Sequence, residues 1–536
     1  MDLQALQEAR DLVWLYLAGP TLGLVGLVLT IRLRAPQWRL LRRGFAALRA
    51  RPRGDTLAPG LGAVLATVGA VGAAGAVGAA TAVSLGGPGV LPYLWLFGFL
   101  LAPLAYAETW LARTDAPGKS DVAASGSLPR RLRRMGERWR LPSLALTATL
   151  LVTGFAFAGG VHGGALAEAT GRLLPGSALA LVGGAAALGA TFVVTNRGHN
   201  IAGWLGFAGL LVLAGAAIAA MASNFGDAAQ VLLRAFSDAF EGAPRSGEFT
   251  GAFAGEIAFA ATLHLLPPIG GTTGTVGAVH AMAGGKTRDQ AALAMLAPLF
   301  YAVVATLLVM AFVGTGVFGT RYADRRPLME TRIHRIAAAS AAQRAEPDRL
   351  YDGLVRIMEG RTRNPGLSVG TARGMVSEPH FEVNGEPADI ALRVEDGVAY
   401  EILKPGRFGA LTQRPFHEAY EVDVVGDMLP TGAGLLLRGM SEGGGDLAAR
   451  FALAGLLALA TVAFAVWGWA LGRSLPTDAR GPRQLAGLLP AGGAALGVAA
   501  GLPWLPVLGS LVAAVSAFFV ALVLLGLSRE VAERAK

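Results

Sequence analysis

Apolar residues run along this chain in long blocks, separated by short basic segments and by one long polar stretch. About 20 consecutive, mostly apolar residues are needed to cross the hydrocarbon core of a bilayer. Eleven blocks meet that length, at roughly 12–31, 57–84, 90–112, 142–165, 177–195, 201–221, 251–281, 291–318, 449–472, 485–503 and 505–528. Only Gly501-Leu502-Pro503 divides the last two. Asp2, Glu8 and Asp11 precede the first block and its basic cluster follows it, the reverse of a cleaved signal segment. The pattern predicts an all-α integral membrane protein. A membrane domain is expected over 1–319, a polar insert over 320–448, and the closing helices over 449–536.

Composition sharpens this picture. Hydrophobic residues make up 53% of the chain and charged ones only 15%, with a mean hydropathy of +0.50. Soluble domains carry about 25% charged residues, so an ordinary soluble enzyme and a disordered chain are both excluded. The 74 glycines and abundant alanines suit helices that pack backbone to backbone. There is no cysteine, hence no disulfide and no thiolate metal site.

The net charge of +9 is unevenly spread. Residues 321–446 hold 16 basic and 19 acidic side chains, so the positive excess lies on the connections between apolar blocks. That placement orients a membrane protein and gives no reason to expect a nucleic-acid partner. Basic residues follow the first block (Arg32 to Arg53), the third (Arg130 to Arg140), the fifth (Arg197), the seventh (Lys286, Arg288), the ninth (Arg473, Arg480, Arg483) and the eleventh (Lys536). Every one of these follows an odd-numbered block. The expected topology is a multi-pass protein of the plasma (inner) membrane, N-terminus outside and C-terminus cytoplasmic, with the insert on the outer side.

Two blocks resist drawing as continuous helix. The second contains Gly69, Gly72, Gly75 and Gly78, then Gly86-Gly87-Pro88-Gly89. The seventh contains Pro267-Pro268-Ile269-Gly270-Gly271-Thr272-Thr273-Gly274-Thr275. Broken helices in corresponding positions of two halves point to a transporter site built on inverted repeats. The candidate substrate-binding groups are the backbones of Gly72, Gly75, Gly78, Gly270 and Gly271 and the hydroxyls of Thr272, Thr273 and Thr275. Half-helix N-termini would meet a carboxylate, and carbonyls and hydroxyls would suit a small cation. The competing readings are glycines that serve helix packing and threonines bonded back to their own helix.

Ionisable side chains within or just beside blocks are Glu108, His162, Glu168, Glu256, His264 and His280. Such residues are costly in a membrane and default to functional candidates. Glu108 and Glu256 lie near block ends, where both can reach the interface. His162 and His264 are candidates for carrying a proton, and Glu108 for gating; a histidine hydrogen-bonded between helices is the alternative.

The insert begins with helical spacing from Met329 to Glu359, marked by Ile333, Ile336, Leu350, Leu354 and Ile357. Strand patterns follow, with turn signals at Asn384-Gly385 and Asp396-Gly397. An α+β or β-rich domain is expected. It shows no metal cluster, catalytic triad or phosphate loop.

Several segments resemble the alanine or glycine:cation symporter family. They are Val13-Trp14 with Gly19-Pro20; Thr30-Ile31-Arg32-Leu33-Arg34 with Gln37 and Arg39; Thr81 to Gly89 with Trp95 and Glu108; His280-Ala281 with Lys286 and Gln290; and Trp467-Gly468-Trp469. The resemblance covers both membrane blocks and not the insert. It implies a leucine-transporter-like fold with two broken helices, sodium as coupling ion, and a small amino acid such as alanine or glycine as substrate.

This chain also departs from the family pattern. Gly75 stands where the family has Asn in the first broken helix. Pro268-Ile269-Gly270-Gly271-Thr272 replaces Ser-Asn-Glu-Ala-Gly in the second. The family's fourth-helix Gln falls at about His162. Its Ser-Thr pair, expected to help hold sodium, falls near Ala463-Phe464, with Thr461 within reach of a shift. The leading expectation is a cation-coupled amino-acid symporter rather than an enzyme. The rival is a transporter-derived sensor or assembly protein that binds an extracytoplasmic partner through residues 320–448.

Overall fold

The computed structural model describes residues 3–50, 56–114, 127–222 (apart from 175, 196 and 197), 275–314 and 432–534 (apart from 476, 478 and 503). Short pieces between 225 and 253, and the strands with some adjoining residues between 322 and 428, are described as well. The chain divides into two compact units, residues 1–319 with 431–536, and residues 320–430.

The first unit is helical. Among the described residues, seven helices are long and apolar enough to cross a membrane: Ala5–Arg32, Gly87–Thr114, Glu137–Gly171, Gly198–Ala222, Thr287–Phe312, Gly432–Ser474 and Trp504–Glu533. A bent pair, Pro59–Gly69 and Gly72–Val83, makes an eighth candidate. The block expected at 177–195 is a shorter apolar helix, Ala178–Val194. The block expected at 485–503 holds the 11-residue helix Leu489–Ala499. At 1.5 Å per residue such a helix is only about 16 Å long, and it ends just before Gly501, at φ +57°. The block at 251–281 is described continuously only from Thr275 onward.

Small residues set the packing. The Gly19–Arg32 helix crosses Val90–Thr114 so closely that a Cβ on Gly26 would overlap the Leu100 carbonyl. Trp14, buried on the first span, donates its indole N–H to the Ser510 carbonyl at 3.1 Å on the last. Large apolar side chains such as Tyr16, Ile31, Leu141 and Trp204 remain exposed on outer helix faces. In water they would be a liability; against acyl chains they are in their solvent.

Basic side chains tie the helix connections together. Arg43 pairs with Asp289 at 2.6 Å, linking the connections after the first and seventh expected blocks. Arg131 pairs with Glu530, linking the third connection to the C-terminal helix. Arg130 donates to the carbonyls of Leu475 (2.9 Å) and Thr477 (2.7 Å) just past the Gly432–Ser474 helix. Connections that follow odd-numbered blocks therefore meet one another.

The long helix Gly432–Ser474 begins well before residue 449, within the stretch expected to be polar insert, and breaks at Gly445 (φ +75°, ψ 175°). In the other unit, strands Gly353–Met358, Ile390–Glu395 and Val398–Pro405 lie side by side and antiparallel. Ile390 faces Ile357 and Leu392 faces Val355, and all four are buried. Asp396 (φ +48°) and Gly397 (φ +73°) make the two-residue hairpin turn.

The helix expected between Met329 and Glu359 is not formed where that stretch is described. Ile333 lies in strand Arg332–Arg335, and Leu354 and Ile357 lie in Gly353–Met358. Buried Val355 and Ile357 alternate with exposed Arg356, and that period of two outweighs the looser helical spacing.

Candidate functional site

The bent helix is almost wholly Ala, Gly, Val and Leu, so nothing in its composition but glycine can interrupt it. The interruption falls at Gly72 (φ +43°, ψ −160°), and the two halves meet at 50°. That conformation is open to glycine and strained for any other residue. Gly75 and Gly78 continue the second half as ordinary helix. Of the expected run of glycines, Gly72 alone is the break.

A break leaves the first N–H groups of the second half without intrahelical acceptors. One of them is answered by His162: its Nδ1 accepts from the Ala74 N–H at 3.2 Å. The imidazole is completely buried and packed so close to Gly72 that a Cβ there would overlap its Cε1 and Nδ1. With Nδ1 accepting, the neutral ring carries its proton on Nε2. Nε2 is buried and has no hydrogen-bond partner among the described residues.

His162 is placed by the segment before it. Residues Gly154–Val161 are wound as π-helix and lead directly into His162–Leu173. Such wide turns re-aim the residues that follow them. Gly159 and Gly160 let this segment press against Leu489–Ala499 and the start of the last span; a Cβ on Gly159 would lie 2.7 Å from the Pro490 carbonyl oxygen. Phe157 stands edge-on to His162 (5.7 Å between centroids) and to Trp467 (5.8 Å). The Trp467 indole N–H is likewise buried without a partner among the described residues.

The Gly432–Ser474 helix supplies the remaining wall, with Ala463 beside Gly72. Thr461, the possible hydroxyl ligand, is turned away and bonds back to the Leu457 carbonyl at 2.8 Å. A side chain on Gly72 would thus meet an imidazole and a methyl group. Further along, the Tyr301 hydroxyl reaches the Gly75 carbonyl at 3.5 Å.

The seventh expected block is described from Thr275, which is buried and stands before the short helix Val276–His280. One neighbouring helix, Val90–Thr114, holds both ends of it. At the N-terminal end Glu108 Oε1 accepts from the Gly277 N–H at 2.7 Å. At the C-terminal end Arg113 donates to the carbonyls of His280, Ala283 (2.8 Å) and Gly285 (2.8 Å). An acid at the N-terminus and a cation at the C-terminus each complement the helix dipole. His280 Nδ1 meets Gln290 Oε1 at 3.0 Å, and Gln290 donates to the Gly284 carbonyl at 2.7 Å.

Glu108 therefore does not reach the interface. It is 1% exposed and spans two helices. The second and seventh expected blocks also touch: Gly62 faces the His280 ring, and just past the seventh Gly284 donates to the Leu57 carbonyl at 3.1 Å. Gly270, Gly271, Thr272, Thr273, His264 and Glu256 lie outside the described residues. Glu168 is half-buried on the helix that His162 begins.

Arg113 and Tyr301 were not singled out from the sequence. Tyr301 is hidden in an apolar run. Among the described residues no three His, Cys, Asp or Glu side chains are grouped as a metal site. The chemistry on offer is backbone: N–H groups for an anion and carbonyls for a cation.

Compared with known families, residues 2–318 match the model described as the sodium:alanine symporter family. The matched stretch contains the bent helix, His162, Glu108 and the seventh expected block, and ends before the sheet-bearing unit. No curated protein matches the chain.

Proposed function

The chain belongs to the sodium:alanine symporter family, and on that premise we propose that it is a cation-coupled symporter of a small amino acid such as alanine or glycine. The observation that carries this reading is the helix break at Gly72, buried inside a bundle of apolar helices. Non-helical backbone at membrane depth is tolerated where it is buried in protein or lines a cavity. In transporters such breaks present N–H groups and carbonyls to the solute and its ion.

The substrate carboxylate would meet the N-terminal end of the Gly72–Val83 half-helix. Backbone carbonyls near the break, and Thr275 with the glycines and threonines before it, would face the cation. Sodium is the ion that the family implies. The connections that carry the basic residues would lie in the cytoplasm, with the 320–430 unit outside. Alternating access would move one set of helices against the other around the two interrupted blocks. The test is uptake of labelled alanine and glycine into proteoliposomes under sodium or proton gradients. Gradient-driven accumulation is expected, and absence of uptake under both gradients sinks the reading.

The second reading is a sensor derived from such a transporter. It is favoured by Ala463 and His162 at the break, where an ion site would use hydroxyl or carbonyl oxygens. Stabilisation of the protein against heat by an amino acid, with no uptake under any gradient, would select it.

A further inference from the structure

One of the N–H groups that a solute carboxylate would need, that of Ala74, is already engaged by a side chain of the protein. Ala74 is the second residue after the break, where a helix ordinarily takes its capping acceptor. The acceptor comes from another helix, and its carrier is a fully buried imidazole whose second nitrogen has no partner among the described residues. A purely structural cap needs one acceptor and gains nothing from an orphaned donor on the same ring. A buried polar atom left unpaired costs about 1–3 kcal/mol.

We propose that His162 is a displaceable plug. Its imidazole stands in for the carboxylate of the solute at the N-terminal end of the Gly72–Val83 half-helix. It must leave before a carboxylate can take the Ala74 N–H. The inference rests on the symporter reading for the identity of the solute, and on His162, Gly72 and Ala74 alone for the plug.

The wall around the ring fits such a movement. Ala463 presents only a methyl group, Gly72 has no side chain, and Phe157 touches the ring by its edge. Among the described residues no hydrogen bond holds Nε2, and the Ala74 contact is the one polar bond that displacement breaks. Apparent affinity for a solute is reduced by the fraction of protein in which the site is closed, so removing the plug raises affinity. The gain expected from one neutral hydrogen bond is about three- to tenfold.

The experiment uses the full chain, which contains no cysteine. Ala463→Cys places one thiol beside the break. Its rate of modification by a small water-soluble thiol reagent is measured with His162, with His162→Ala and with His162→Asn. Asparagine keeps an acceptor close to the place of Nδ1 and serves as the folding control. The rate should rise about tenfold or more in His162→Ala and stay near the parent in His162→Asn. Binding of alanine and glycine to the same three proteins without the thiol, measured by calorimetry, should tighten three- to tenfold only in His162→Ala.

Equal thiol reactivity in all three backgrounds overturns the plug, whatever transport does. Faster reactivity with unchanged or weaker amino-acid binding overturns its role as a carboxylate stand-in. Faster reactivity in a protein that neither binds nor carries any amino acid overturns the symporter reading and leaves His162 as the closure of an internal space.

Discussion

The imidazole of His162 fills the space in which a side chain on residue 72 would have to lie. The two positions are 90 residues apart in the chain and come from different helices. One supplies the break, and the other supplies the acceptor that the break calls for.

Gly72→Ala should therefore damage the fold twice. The backbone conformation costs about 1–3 kcal/mol for a residue with a Cβ, and crowding against the ring adds about 1–3 kcal/mol. Thermal unfolding in detergent should show a Tm lower by several degrees. The double variant Gly72→Ala with His162→Ala should regain the crowding share and keep the backbone share. Losses that simply add would show that the two residues are not coupled.

Glu108→Ala removes the acceptor of the Gly277 N–H in a buried place. An unpaired buried donor costs about 1–3 kcal/mol, so the Tm should fall and uptake should drop with it. Glu108→Gln keeps an oxygen at the same reach and should lie much closer to the parent in both measurements. Equal loss in the two variants would mean that the charge, and not the acceptor, is what the site uses.

Arg113 bonds three carbonyls with one guanidinium. Lysine offers a point charge and cannot span the same fork. Arg113→Lys should cost about 1–3 kcal/mol, visible as earlier unfolding and as faster hydrogen exchange over residues 276–285. Unchanged exchange there would rule out Arg113 as the clasp of that segment.

The contacts among connections make a statement about sidedness. Arg43 and Asp289 pair directly, and so do Arg131 and Glu530. Single cysteines at Arg43 and Glu530 should react with a membrane-impermeant reagent from the cytoplasmic side only. A cysteine at Asp396, on the exposed turn of the other unit, should react from the outside only. Labelling of Asp396→Cys and Arg43→Cys from the same side would overturn the proposed topology.

Much of this was legible in the sequence. Apolar blocks long enough to span a bilayer were plain because hydropathy over about 20 residues is a property of composition alone. The interrupted second block was visible as a run of glycines, and the family resemblance as ordered motifs. Which glycine breaks the helix was not visible, because Gly69, Gly72, Gly75 and Gly78 are locally equivalent. Its backbone conformation and the imidazole packed against it distinguish Gly72.

The same division holds elsewhere. The sequence marked Glu108 as an acid near a helix end, and read its position as access to the interface. The tertiary structure turned it inward, because the free N–H of Gly277 on another helix lies within 2.7 Å. The strands through Ile333 and Ile357 were misread as helix, since short apolar patterns satisfy both periods until a neighbouring strand decides. The sequence by itself determined what could cross a membrane and where the backbone could break. Pairing between distant segments decided which break is used and what fills it, because a hydrogen-bond partner is a fact of position in space and not of order along the chain.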